Sequence, residues 1–193
     1  PPLFPDTMPD LLSPDCELLR ALAAPVAVDA DPLKPLPREI VWVPVGEHDI
    51  CAHDSAMQPI QAHVVCDATA ARDISAHFEE LRAAGHRIWL DKNHEGAEAT
   101  GDVRAFSWDP ARGIVAAVDW TPYGERLLRD KVFCSFSPEF LRNKTTGRPR
   151  RLVQGHASGG LVNAPAFGAA MPALIAAQLA GAESSHANPA PAG

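Results

Sequence analysis

Apolar positions along this chain recur mostly in short alternating runs, with one clear helical stripe between them. Glu39-Ile40-Val41-Trp42-Val43-Pro44-Val45-Gly46 is β-rich and predicts a first strand. Pro44 places it at an edge or a bulge, because proline cannot donate to a ladder. Ala62–Cys66 predicts a second strand. From Ala70 to Ala84, Ile74, Phe78 and Leu81 recur at helical spacing, with Asp67 to Thr69 as capping residues and Gly85 as the stop. Arg87–Leu90 is a short third strand that runs directly into a loop carrying His94. Gly101–Trp108 and Gly113–Trp120 predict a hairpin closed by the turn residues Asp109-Pro110-Ala111-Arg112-Gly113. Thr121 and Pro122 suit the N-cap and first position of a short helix reaching about Asp130. Val132–Leu141 is a strand, Arg151–Gln154 begins its return, and Gly168–Leu179 predicts an Ala-rich helix. The sum is an α+β domain, mostly antiparallel, built as a β-barrel or strongly bent sheet with surrounding helices.

Composition divides the chain into three. Nine of the 19 prolines precede Arg38, so residues 1–37 read as an extended, Pro-rich arm. Residues 38–180 hold the domain, and 181–193, without apolar periodicity, read as a disordered tail. The net charge of −7 argues against nucleic acid, which needs clustered cations to neutralise phosphates. The cluster of Arg142, Lys144, Arg148, Arg150 and Arg151 flanks a Thr-Thr-Gly turn and reads as a solvated hairpin tip. No apolar stretch is long enough to span a bilayer, and no charged-then-apolar leader opens the chain. Cys16, Cys51, Cys66 and Cys134 lack the spacing of a disulfide framework, which favours a reducing compartment. Cys51, His53, His63 and Cys66 form a conceivable zinc set, but without the usual short gap between thiolates they read as structural residues. No cofactor is expected.

The candidate chemistry lies in two stretches. Leu90-Asp91-Lys92-Asn93-His94-Glu95-Gly96 puts a histidine just past an apolar run. Cys134-Ser135-Phe136-Ser137-Pro138-Glu139-Phe140 puts Ser135 and Ser137 on one face of a strand. An imidazole that takes a proton and an alcohol too weak to attack without it are the minimum for a serine hydrolase. Strand serines also commonly hydrogen-bond across a sheet, and a loop histidine is commonly just exposed.

The flanking text discriminates between these readings. Trp89-Leu90-Asp91-Lys92-Asn93-His94, Asp119-Trp120-Thr121-Pro122-Tyr123-Gly124, Phe136-Ser137-Pro138-Glu139-Phe140 and Leu161-Val162-Asn163-Ala164-Pro165-Ala166 occur in this order. Together they resemble the Mu-type phage protein I family of capsid-maturation (prohead) proteases, over about residues 40–170. The resemblance implies a serine endopeptidase related to other phage prohead proteases and to herpesvirus assemblin, with an assemblin-like barrel wrapped by helices. It implies cleavage of scaffolding and major capsid proteins, and of the chain itself, inside the immature capsid in the host cytoplasm. A homo-oligomer is compatible with this.

Carried over by position, His94 is the general base and Ser137 the nucleophile, with Ser135 the rival because the assemblin branch can use the first serine of a Ser-x-Ser pair. The third member falls to His156, whose ring would orient His94, while Ser158 lies closer to the family's position by count. Asp91 is a further candidate orienter, or a cap for its own loop. Gly159 and Gly160 could let backbone N–H groups approach an oxyanion, although strand-end glycines are commonplace. Against the enzyme stands a catalytically silent head-assembly or scaffolding module on the same fold.

Overall fold

A computed structural model describes residues 16–21, 35–54 and 58–174. Among the described residues ten strands and two α-helices follow one another: β1 (Cys16–Ala21), β2 (Glu39–Pro44), β3 (Gly46–His53), β4 (Pro59–Cys66), α1 (Ala68–Ala83), β5 (Trp89–Lys92), β6 (Gly101–Asp109), β7 (Gly113–Trp120), α2 (Pro122–Arg129), β8 (Ser135–Asn143), β9 (Pro149–Arg151) and β10 (Gly159–Val162). The α+β class is as expected. The strands form one mixed sheet in the order β2-β7-β6-β5-β10-β8-β1-β3-β4, with β9 added to β8. Among the described residues the order ends at β2 and β4 without joining them, so hydrogen bonds do not close the sheet into a barrel.

The sheet bends instead. Trp42 on terminal strand β2 packs its ring 4.9 Å from that of Phe106 on β6 and 5.5 Å from that of Phe140 on β8. Two strands so far apart in the ladder meet only if the sheet folds over its own core. Trp42 is fully buried, and its indole N–H donates to the carbonyl of Ser158 at 2.7 Å, which satisfies the donor. Helix α1 covers this core with Ile74, Phe78 and Leu81. Its cap is the expected one: Asp67 accepts from the Ala70 N–H at 2.9 Å. Burial of this apolar set is the main favourable term in folding.

The β6–β7 hairpin and α2 lie where their sequence signals put them. Thr121 caps α2 by accepting from the Gly124 N–H at 3.1 Å. Gly124 presses against Thr100 so closely that a Cβ there would overlap the Thr100 backbone, which explains the Trp-Thr-x-x-Gly spacing. Pro44 ends a terminal strand with a register irregularity between Val41 and Val43, as its chemistry requires. The basic cluster forms the β8–β9 hairpin tip, where Arg148 pairs with Asp67 and Arg142 donates to the His63 carbonyl at 3.0 Å.

Three elements depart from expectation. β3 is a full strand of mostly polar text, paired with β4 from Gly46↔Cys66 to His53↔Pro59. β1 lies within the Pro-rich arm and is an interior strand between β8 and β3. The expected helix from Gly168 reduces in its described part to a single 3-10 turn, Gly168–Ala170, and Met171 after it is extended. Pro172 follows at once and disfavours helical backbone at Met171. The remainder of that helix, and the tail, lie outside the described residues.

Candidate active site

Strand β8 is buried on both faces. Phe136 and Phe140 enter the core, so alternation turns Ser135, Ser137 and Glu139 to the opposite face, where they are exposed by only 1%, 0% and 2%. β10 joins the two halves of the sheet, running antiparallel to β8 and parallel to β5. Its Gly160 stands opposite Ser137 on one side and Asp91 on the other. Residues directly opposite share a face, so Ser137 and Asp91 flank Gly160 with their Cα atoms about 10 Å apart. Ser135 is opposite Val162, farther along the ladder.

Gly160 is the gap in this row. A Cβ there would overlap Asp91 Oδ1 and lie 3.1 Å from the backbone nitrogen of His94. The loop after β5 therefore descends onto a strand position that carries no side chain. Asn93 and His94 are both left-handed, at φ 51° and 57°, a conformation that costs a non-glycine residue about 1–3 kcal/mol. Several bonds hold it. The Asn93 N–H donates to the Leu161 carbonyl at 3.0 Å. The Gly96 N–H donates to Asp91 Oδ2 at 2.7 Å. The Thr100 hydroxyl donates to the Asp91 carbonyl at 2.9 Å. Asp91 thus organises the loop that bears His94.

The His94 ring is brought to Glu139, with Nδ1 3.4 Å from Glu139 Oε2 and the two side chains 8% and 2% exposed. Neither ring nitrogen forms a hydrogen bond, and Asp91 Oδ1 has none either. Burial pushes the Asp91 carboxyl above its ordinary range. The Gly96 N–H and the proximity of His94 pull it back, and the Glu139 carboxylate raises it. Two carboxyl groups and one imidazole therefore share a volume with almost no solvent, where charge interactions are stronger than in water.

His156 does not lie with them: it sits exposed in the turn between β9 and β10, three residues before β10 begins. Glu139, not His156, is the residue that meets His94 Nδ1. Ser158 is buried and engaged, its hydroxyl donating to the Trp89 carbonyl at 3.1 Å. Glu139 falls at the unspecified position of the Ser-Pro-x-Phe text, so the motif gives it no role. The available signal was alternation: it is two residues past Ser137 on the same face of a strand whose other face is core.

Register disperses the residues of the zinc alternative. Cys66 is opposite Gly46 and Cys51 opposite Gln61, five positions apart or about 17 Å along the hairpin. Cys66 is buried, its thiol pushed up to about 12 by desolvation and donating to the Val43 carbonyl at 3.3 Å. His63 pairs with Asp49 at 2.8 Å on an exposed face. Among the described residues, no group of three or more His, Cys, Asp or Glu side chains is arranged to hold a metal ion. No helix among them is long and apolar enough to cross a membrane.

Neither the curated proteins nor the solved structures include a match to this chain. A family model does match, that of the Mu-like prophage I protein, N-terminal domain, over residues 43–175. That span begins in β2 and runs through every strand from β3 to β10, so it contains His94, Ser137 and Glu139. The chain belongs to the Mu-like prophage I protein family.

Proposed function

We propose that this domain is a serine endopeptidase with Ser137 as nucleophile, His94 as general base and Glu139 as the carboxylate that orients His94. The observation that carries the reading is the register placing Ser137 opposite Gly160, beneath the loop that delivers the His94 ring to Glu139. Glu139 beside Nδ1 favours the tautomer that keeps a proton there, leaving Nε2 to accept. In the reaction, Nε2 takes the Ser137 proton as Oγ bonds to the scissile carbonyl carbon. The C–N bond then breaks and the imidazolium returns the proton to the leaving amine. Water, activated by the same nitrogen, hydrolyses the acyl-enzyme. Glu139 stabilises the imidazolium in each half, and a carboxylate does this better than a second histidine.

Family membership, with the motifs that carry it, supports scaffolding and major capsid proteins as substrates, and the chain itself, within the immature capsid in the host cytoplasm. Burial of Ser137 favours the alternative, a catalytically silent head-assembly module of the same fold. Co-expression with the scaffolding protein separates the two. Ser137→Ala should abolish cleavage, by at least about 10⁴-fold, with unchanged thermal stability. Cleavage that persists in Ser137→Ala, or its absence in the unsubstituted protein, overturns the enzyme reading.

A further inference from the structure

We propose that the edge of β8 occupied by β1 is the docking edge for an extended peptide, and that β1 is an internal occupant that must leave before a peptide reaches Ser137. This rests on the reading of Ser137 as nucleophile. β8 has two edges. One is filled by β10, opposite Ser135 to Pro138, and by β9, opposite Leu141 and Arg142. The other is taken by β1, antiparallel, from Cys16↔Asn143 to Arg20↔Glu139. A strand edge accepts one partner, so a peptide pairing with β8 along Glu139 to Asn143 competes with β1 for the same main-chain groups.

The alignment relates this edge to the site. The ladder ends at Glu139, the residue beside His94, and β1 runs toward Ser137, two positions farther along β8. Ser135, Ser137 and Glu139 are buried in this arrangement, so the nucleophile has no access to a substrate in solution. Among the described residues, β1 pairs with β8 at five positions and with β3 at two, Arg20↔His53 and Ala21↔Ala52. The span matched by the family model starts at Val43, after β1. A strand from before the matched span, seated on the edge of β8 that ends at Glu139, has the geometry of a cis-acting strap.

The full-length chain provides the test. Cys16 stands opposite Asn143, so Asn143→Cys allows an oxidative cross-link of β1 to β8 across one register pair. Asn143→Ser is the reference, because Asn143 also accepts from the Thr145 and Thr146 N–H groups in the turn. The first readout is the rate at which a fluorescent serine-directed phosphonate labels the protein. The oxidised form should label at least about tenfold more slowly than the reduced form, because access then requires opening of a locked strand. The reduced form should match Asn143→Ser. The second is binding of a fluorescent peptide copying residues 14–23, which should bind the reduced protein and not the oxidised one. Equal peptide binding to both forms, or to neither, overturns the proposal, as does detectable labelling of both at the same rate. Peptide exchange confined to the reduced form, with no labelling in either, would uphold the docking edge and remove the nucleophile instead.

Discussion

Glu139 and His156 differ in a way that composition cannot express. Both are titratable residues near the serine strand in sequence, but Glu139 is on β8 itself and His156 is in an exposed turn. Alternation assigns the first to the face of Ser137, and nothing comparable fixes the second. Glu139→Gln should keep the fold and lower the rate of scaffold cleavage by about 10³-fold, through loss of tautomer control and imidazolium stabilisation. His156→Ala should leave that rate within about twofold, as expected of an exposed turn residue. Comparing both variants by quantitative cleavage assay checks the assignment. Asp91 gives a second residue-scale expectation. Its carboxyl lies above the ordinary value of 3.8, so the native state binds more protons than the unfolded chain between the two values. Its stabilising contribution is fully present below the unfolded value and is lost as pH rises through the folded one. Asp91→Asn retains an acceptor for the Gly96 N–H and removes the buried charge. Thermal melts across this range should show a shallower decline with rising pH for Asp91→Asn than for the parent. A parallel pair of curves would contradict this account of Asp91.

Elements with local signals were legible, and those without were not. α1, the β6–β7 hairpin and α2 each carry their own cap, turn or periodicity, so their bounds follow within a few residues. β3 lacks an apolar run because only Ile50 and Ala52 along it are buried, and its strand form comes from pairing with β4. β1 lies among prolines and owes its conformation to β8, a partner more than a hundred residues away. Local composition cannot signal such pairings. The Gly124 contact shows the reverse case, where a motif has a legible cause once the neighbour is known. Gly124→Ala would drive a methyl group into the backbone of Thr100, a residue tied to Leu90 through its N–H and to Asp91 through its hydroxyl. We expect a loss of at least about 2 kcal/mol in denaturant unfolding, with displacement of the His94 loop as a consequence. A variant as stable as the parent would show that α2 can shift away from Thr100.

At the scale of the molecule, the site exists because β10 splices the two halves of one bent sheet. The half carrying β5 supplies Asp91 and the His94 loop, and the half carrying β8 supplies Ser137 and Glu139. Gly160 between them leaves the space in which they meet. Sequence order brought His94 and Ser137 forward as a pair, but not the parallel β5–β10 contact that juxtaposes their strands, because parallel pairing leaves no hairpin signal. The same absence of a local signal leaves the Glu139–His94 contact out of reach of sequence order. The account stands on one chemical claim, that Ser137 is a nucleophile activated by His94 and held by Glu139. Its most direct test is mass-spectrometric mapping of the adduct formed by a serine-directed phosphonate on the parent, His94→Ala and Glu139→Gln proteins. The account predicts a single adduct on Ser137 in the parent, none detectable in His94→Ala, and markedly slower formation in Glu139→Gln. An adduct on Ser135, or a Ser137 adduct forming equally fast without His94, would contradict it.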